Sequence, residues 1–71
     1  MTRDRETAEA ELVWGTAQRL WEETGAPVTD TTIAHESGIE LATVREWLDQ
    51  AALRLEVTRD GESRTVLAPV R

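Results

Sequence analysis

The hydrophobic period of this chain changes once, near Leu55, and that change limits what the chain can become. Before it, apolar residues recur every three or four positions. After it, "RLEVTRDGESRTVLAPV" alternates at Leu55 and Val57, turns at Asp60-Gly61 and resumes with Thr65, Val66 and Leu67. Spacings of three and four align apolar side chains along one helix face, whereas strict alternation gathers them on one face of a strand. An Asp-Gly pair between two alternating runs is a strong hairpin signal. Pro69 falls near the end of the second run, where an edge position tolerates the missing N–H donor. The chain reads as helices followed by a hairpin, and its 71 residues suit one domain spanning 1–71.

The helical part divides in three. In "RETAEAELVWGTAQRLWEETG" the residues Ala10, Val13, Trp14, Ala17, Leu20 and Trp21 form one stripe, which predicts a helix near 4–24. Thr2 or Asp4 is its expected cap, Glu6, Glu9 and Glu11 suit its positive end, and Gly25 followed by Pro27 stops it. A second helix runs through Ser37 from a cap at Thr29 or Asp30, with Ile33 and Ala34 inward. Gly38 supplies the positive φ of a tight turn, and Ile39 plugs the corner. A third helix is expected from about Leu41 to Leu53, on the spacing of Leu41, Val44, Leu48, Ala51 and Leu55. Its outward side is Glu40, Ala42, Thr43, Arg45, Glu46, Asp49 and Gln50. A bridge at Val28 would add a third short strand to the hairpin.

Composition narrows the function. There is no cysteine, which excludes disulfides, thiolate metal sites and thiol nucleophiles. The opening "MTRDRETAEAELVW" carries charge throughout, so neither a signal peptide nor a membrane helix is expected, and the expected location is cytoplasmic. The net charge is −6, with all eight cations arginine. Residues 1–27 hold six acids and three arginines and residues 28–71 hold eight and five, so each part is −3. His35, Glu36 and Ser37 are adjacent, but consecutive helix residues point about 100° apart and do not converge on a substrate. With one histidine and no glycine-rich loop, the chain is read as a non-enzyme with no cofactor and no metal site.

A helix, a helix-turn-helix and a hairpin, carried by "VTDTTIAHESGI", "TVREWL" and "LEVTRDGESRTVLAPV", resemble the winged helix-turn-helix superfamily. The implied fold is mainly α with a small β hairpin: three helices plus a two- or three-stranded wing. In that family Ile33-Ala34 would pack the second helix on the third, and Gly38-Ile39 would make the turn. The resemblance implies a DNA-binding transcriptional regulator with double-stranded DNA as partner, as a possible homodimer. Thr43, Arg45, Glu46, Asp49 and Gln50 would then face bases, with Arg45, Arg54, Arg59 and Arg64 supplying the contacts that position the protein. The alternative is an acidic winged-helix protein–protein interaction module, such as a DNA-charge mimic or accessory subunit, that does not itself bind DNA.

The charge of the third helix separates the two. Glu40, Glu46 and Asp49 against Arg45 sum to −2, and an acidic face forfeits the counterion release by which Lys and Arg bind polyphosphate. Glu40 also opens that helix, where Ser, Thr or Asp caps better. Arg59 and Arg64 fit either a phosphate-touching wing or a cross-strand charge pattern that keeps a hairpin soluble. With no Phe or Tyr in the chain, Trp14 and Trp21 are expected to fill the core rather than form a dimer seam. Trp47 lies at the edge of its stripe, where an indole serves either core or interface.

Overall fold

The computed structural model describes residues 2–70, with side chains from residue 7 to residue 70. The elements are α1 (Thr2–Thr24), β1 (Val28–Thr29), α2 (Asp30–Ser37), α3 (Leu41–Asp49), β2 (Leu55–Asp60) and β3 (Ser63–Pro69). The expected caps Thr2 and Asp4, and Glu6 beside them, lie outside the described side chains. The three strands form one antiparallel sheet in the order β1-β3-β2. The expected bridge is present, with Val28 opposite Val66 and Thr29 opposite Thr65.

Each helix contributes its stripe to one core. Val13 and Ala17 from α1, Ile33 from α2, and Val44 and Leu48 from α3 meet Val28, Leu55 and Val66 from the sheet, all of them buried. Trp14, Trp21 and Trp47 are partly buried and pack against this cluster, so the first two fill the core as expected.

The α2–α3 turn follows from local chemistry. The Thr29 hydroxyl accepts from the Thr32 N–H at 3.3 Å and caps α2, so Asp30 does not serve as the cap. Gly38 closes α2 at φ 74°, donating to the Ala34 carbonyl at 3.0 Å, a conformation that costs a residue with a Cβ more than glycine. Ile39 is then half-buried against the core. At the start of α3, Glu40 makes no side-chain capping bond.

Two boundaries differ from expectation. α3 ends at Asp49 rather than Leu53. Gln50 and Ala51 bond back three residues, to Trp47 and Leu48, and the Ala51 carbonyl then accepts from both Arg54 and Leu55 at 2.8 Å. This tight turn buries both Ala51 and Leu55 while Leu55 starts a strand, and it leaves Leu53 91% exposed. The hairpin loop is Gly61-Glu62 rather than Asp60-Gly61, because Asp60 still pairs with Ser63. Gly61 has φ 63°, and glycine leading a two-residue loop matches the twist of the flanking strands. On the other side of the hairpin a bulge leaves Leu67 unpaired between the pairs Val57↔Val66 and Glu56↔Ala68.

Candidate functional site

The third helix and the hairpin are tied together by carboxylates, and Asp30 is the hub. Its Oδ2 accepts from Arg45 Nε at 2.8 Å and from the Arg64 backbone N–H at 2.9 Å. The side chain is only 4% exposed. Burial alone would push this carboxyl up, but the bonds from Arg45, the Arg64 N–H and the Thr31 N–H outweigh it and hold it below the usual carboxylate range. The first residue of α2 thereby fixes both α3 and β3. Sequence periodicity gave Asp30 no role beyond a possible cap.

Arg64 is the second tie. Its guanidinium meets Asp49 through Nε at 2.6 Å and Nη2 at 3.3 Å, and Nη1 donates to the carbonyls of Gly61, Glu62 and Ser63. The hydrogen bond between Arg64 and Asp49 is the main cause of a raised Arg64 pKa and a lowered Asp49 pKa. Arg64 is buried, so its charge is turned inward to α3 and to the turn of its own hairpin.

A third set of contacts joins α3 to α1. The Trp14 indole N–H donates to the Trp47 carbonyl at 2.9 Å, and the Trp47 indole N–H donates to Glu9 at 2.9 Å. The two rings meet edge to face at 6.0 Å, a favoured aromatic geometry. Arg54 sits over the Trp14 ring at 5.4 Å and pairs with Glu11 at 3.1 Å. Trp47 therefore faces α1, and of its two alternatives the structure shows packing against the core.

The positions expected to face a partner separate accordingly. Glu46, Asp49 and Gln50 are exposed, while Thr43 and Arg45 are half-buried. Arg45, Arg54 and Arg64 are each paired with a carboxylate of the same chain. Arg59 is exposed on β2, makes no ion pair within 4 Å among the described residues, and acts on Asp49 at longer range. Glu40, Glu46, Glu56, Asp60 and Glu62 are all exposed. Counting the partners Glu11 and Asp30 with the acids of α3 and the hairpin, eight carboxylates stand against four arginines.

His35, Glu36 and Ser37 have separate surroundings. His35 is exposed, Glu36 reaches Arg19 at 3.7 Å, and the Ser37 hydroxyl accepts from the Ile39 N–H at 3.2 Å. No group of three or more His, Asp or Glu side chains suited to a metal ion occurs among the described residues. No described helix is long and apolar enough to cross a membrane. No family model, curated protein or solved structure matches the chain.

Proposed function

We propose that this chain is a winged helix-turn-helix domain that works as a protein-interaction module, docking its acidic third helix and wing on a basic protein surface. The observation that carries the reading is the pairing of Arg45, Arg54 and Arg64 with Asp30, Glu11 and Asp49. Arg45 and Arg64 are held in part-buried pairs and Arg54 in an exposed one, while Glu40 and Glu46 on α3 and Glu56, Asp60 and Glu62 on the hairpin are exposed. Such a surface repels polyphosphate and attracts Lys- and Arg-rich surfaces, and a partner that itself binds DNA would find a charge mimic in it. Rapid, salt-sensitive association is the expected behaviour.

A second reading, transcriptional regulation by DNA binding, is favoured by one observation. Arg59 lies on the wing, exposed and in no ion pair within 4 Å among the described residues, where it could reach a phosphate while α3 lies in the major groove.

One titration series separates the two. Calorimetry at low salt with a Lys/Arg-rich peptide is expected to show binding that Glu40→Arg with Glu46→Arg abolishes. Glu22→Arg with Glu23→Arg on α1 changes the net charge equally and should leave much of that binding in place. Equal loss in both variants would mean that only net charge is being read and would refute a docking face. Binding to duplex DNA that Arg59→Ala weakens would instead establish the second reading.

A further inference from the structure

The sheet order β1-β3-β2 leaves one edge of β2 open. In a two-residue hairpin the pair next to the loop is hydrogen-bonded, here Asp60 and Ser63. Backbone groups alternate from there, so Asp60 and Thr58 turn theirs to β3, and Arg59 and Val57 turn theirs to the open edge. A groove of about 430 Å³ lies beside this edge, lined in part by Asp49, Leu55, Val57, Arg59, Leu67 and Val70. Among the described residues three of the four exposed large apolar side chains, Leu53, Leu67 and Val70, lie in this groove or in the turn leading to β2.

We propose that the occupant of this edge is a second copy of the chain, its β2 pairing antiparallel with the first across a two-fold axis at Val57. The length of β2 and its charges together select that register: centring on 55 sets most of the strand against the turn residues 50–54 rather than against a strand. Centring on residue 56 sets Glu56 against Glu56, and centring on 58 sets Glu56 against Asp60 twice. Centring on 59 sets Arg59 against Arg59. Like charges directly opposite destabilise a strand pair. Centring on Val57 sets Val57 against Val57, Leu55 against Arg59, and Glu56 against Thr58, with no like pair. It also aligns the edge-facing groups of Val57 with each other, as an antiparallel ladder requires.

Charge complementarity supports the same occupant. In this register Arg59, which makes no ion pair within 4 Å among the described residues and acts on its own Asp49 only at longer range, enters the other copy's groove beside Leu55. Asp49 lines that groove, bonded to Arg64 of its own copy and with its side chain still 39% exposed. Leu53, the most exposed large apolar side chain among the described residues, lies in the turn just before this pairing begins. The three-stranded sheet becomes a six-stranded one, and the open edge disappears.

Thr58 is exposed and lies opposite Glu56 of the other copy, so it tests the register without disturbing the core. In sedimentation velocity over a concentration series, the wild-type chain is expected to equilibrate between monomer and dimer. Thr58→Glu should weaken the dimer about tenfold and Thr58→Arg should strengthen it by a similar factor, two cross-strand pairs changing in each case. Circular dichroism confirms that both variants keep the fold. Amide exchange at Val57 and Arg59 should slow as concentration rises, while the Thr58 amide, already bonded to β3, should not respond. A wild-type chain that stays monomeric at its solubility limit overturns the proposal. So does a dimer that both substitutions leave unchanged or shift in one direction, or one whose new protection falls on α1.

Discussion

Replacing Asp30 by alanine should remove a large part of the stability of this domain. A 71-residue chain carries about 4–11 kcal/mol in total, at roughly 0.05–0.15 kcal/mol per residue. The Asp30 carboxylate, 4% exposed, accepts one bond from Arg45 and one from the Arg64 backbone. Bonds to a charged acceptor contribute about 1.5–3 kcal/mol each. The lower end applies, because Arg45 is 26% exposed and can rehydrate once released. The expected loss is therefore about 3 kcal/mol, equivalent to roughly 12–24 °C in melting temperature for a domain of this size. Asp30→Asn keeps an acceptor for the Arg64 N–H and loses the ion pair, so it should cost about 2 kcal/mol.

Urea unfolding followed by tryptophan fluorescence measures both variants, and pH supplies the sharper check. The Asp30 carboxyl is held below its ordinary value of 3.8. The stability it contributes is thus complete above that value and is lost as pH falls through the folded-state value. The wild-type advantage over Asp30→Asn should persist at about pH 7 and shrink below about pH 4. A loss under about 1 kcal/mol for Asp30→Ala, or an advantage over Asp30→Asn independent of pH, would refute the role given to Asp30.

Gly15 lies inside α1 with nothing within 4 Å of where a Cβ would stand, so Gly15→Ala should stabilise the chain by about 0.5–1 kcal/mol in urea unfolding. Trp47→Phe deletes the indole bond to Glu9 and should cost about 1–2 kcal/mol; a double-mutant cycle with Glu9→Ala should show coupling, and strictly additive losses would deny the contact. Arg64→Lys keeps the charge but cannot reproduce bonds to Asp49 and to the carbonyls of Gly61, Glu62 and Ser63 together. Hydrogen exchange should then quicken in the hairpin more than in α1.

Much of the fold was legible because each element carries its own local signal. The α1 stripe, the glycine closing α2 and the alternation after Leu55 each reflect the geometry of a few neighbouring residues, and the bridge at Val28 followed from a short apolar entry. The end of α3 was not legible. Ala51 and Leu55 are four apart, which satisfies a helix, yet the same two residues are buried equally well on either side of a tight turn. The site was legible only as a set of candidate side chains. What Arg45 and Arg54 do depends on Asp30 and Glu11, which lie 15 and 43 residues away in sequence. Periodicity reports which face a residue occupies and is silent on which distant charge arrives beside it. The Trp14–Trp47 contact was hidden for the same reason.

Thr29 pairs with Thr65 in the sheet and, in the same residue, caps α2. Asp30 follows at once, bonded to both α3 and β3. No linker separates strand from helix, so there is no position at which the two could pivot. Loosening α2 removes the ladder partner at β1 and the anchor of the hairpin together, and opening the hairpin strands the first turn of α2. The β1–α2–β3 region should accordingly open as one cooperative unit in native-state exchange, with a single free energy. A partner that grips the hairpin would therefore slow fluctuations at α2 without touching it.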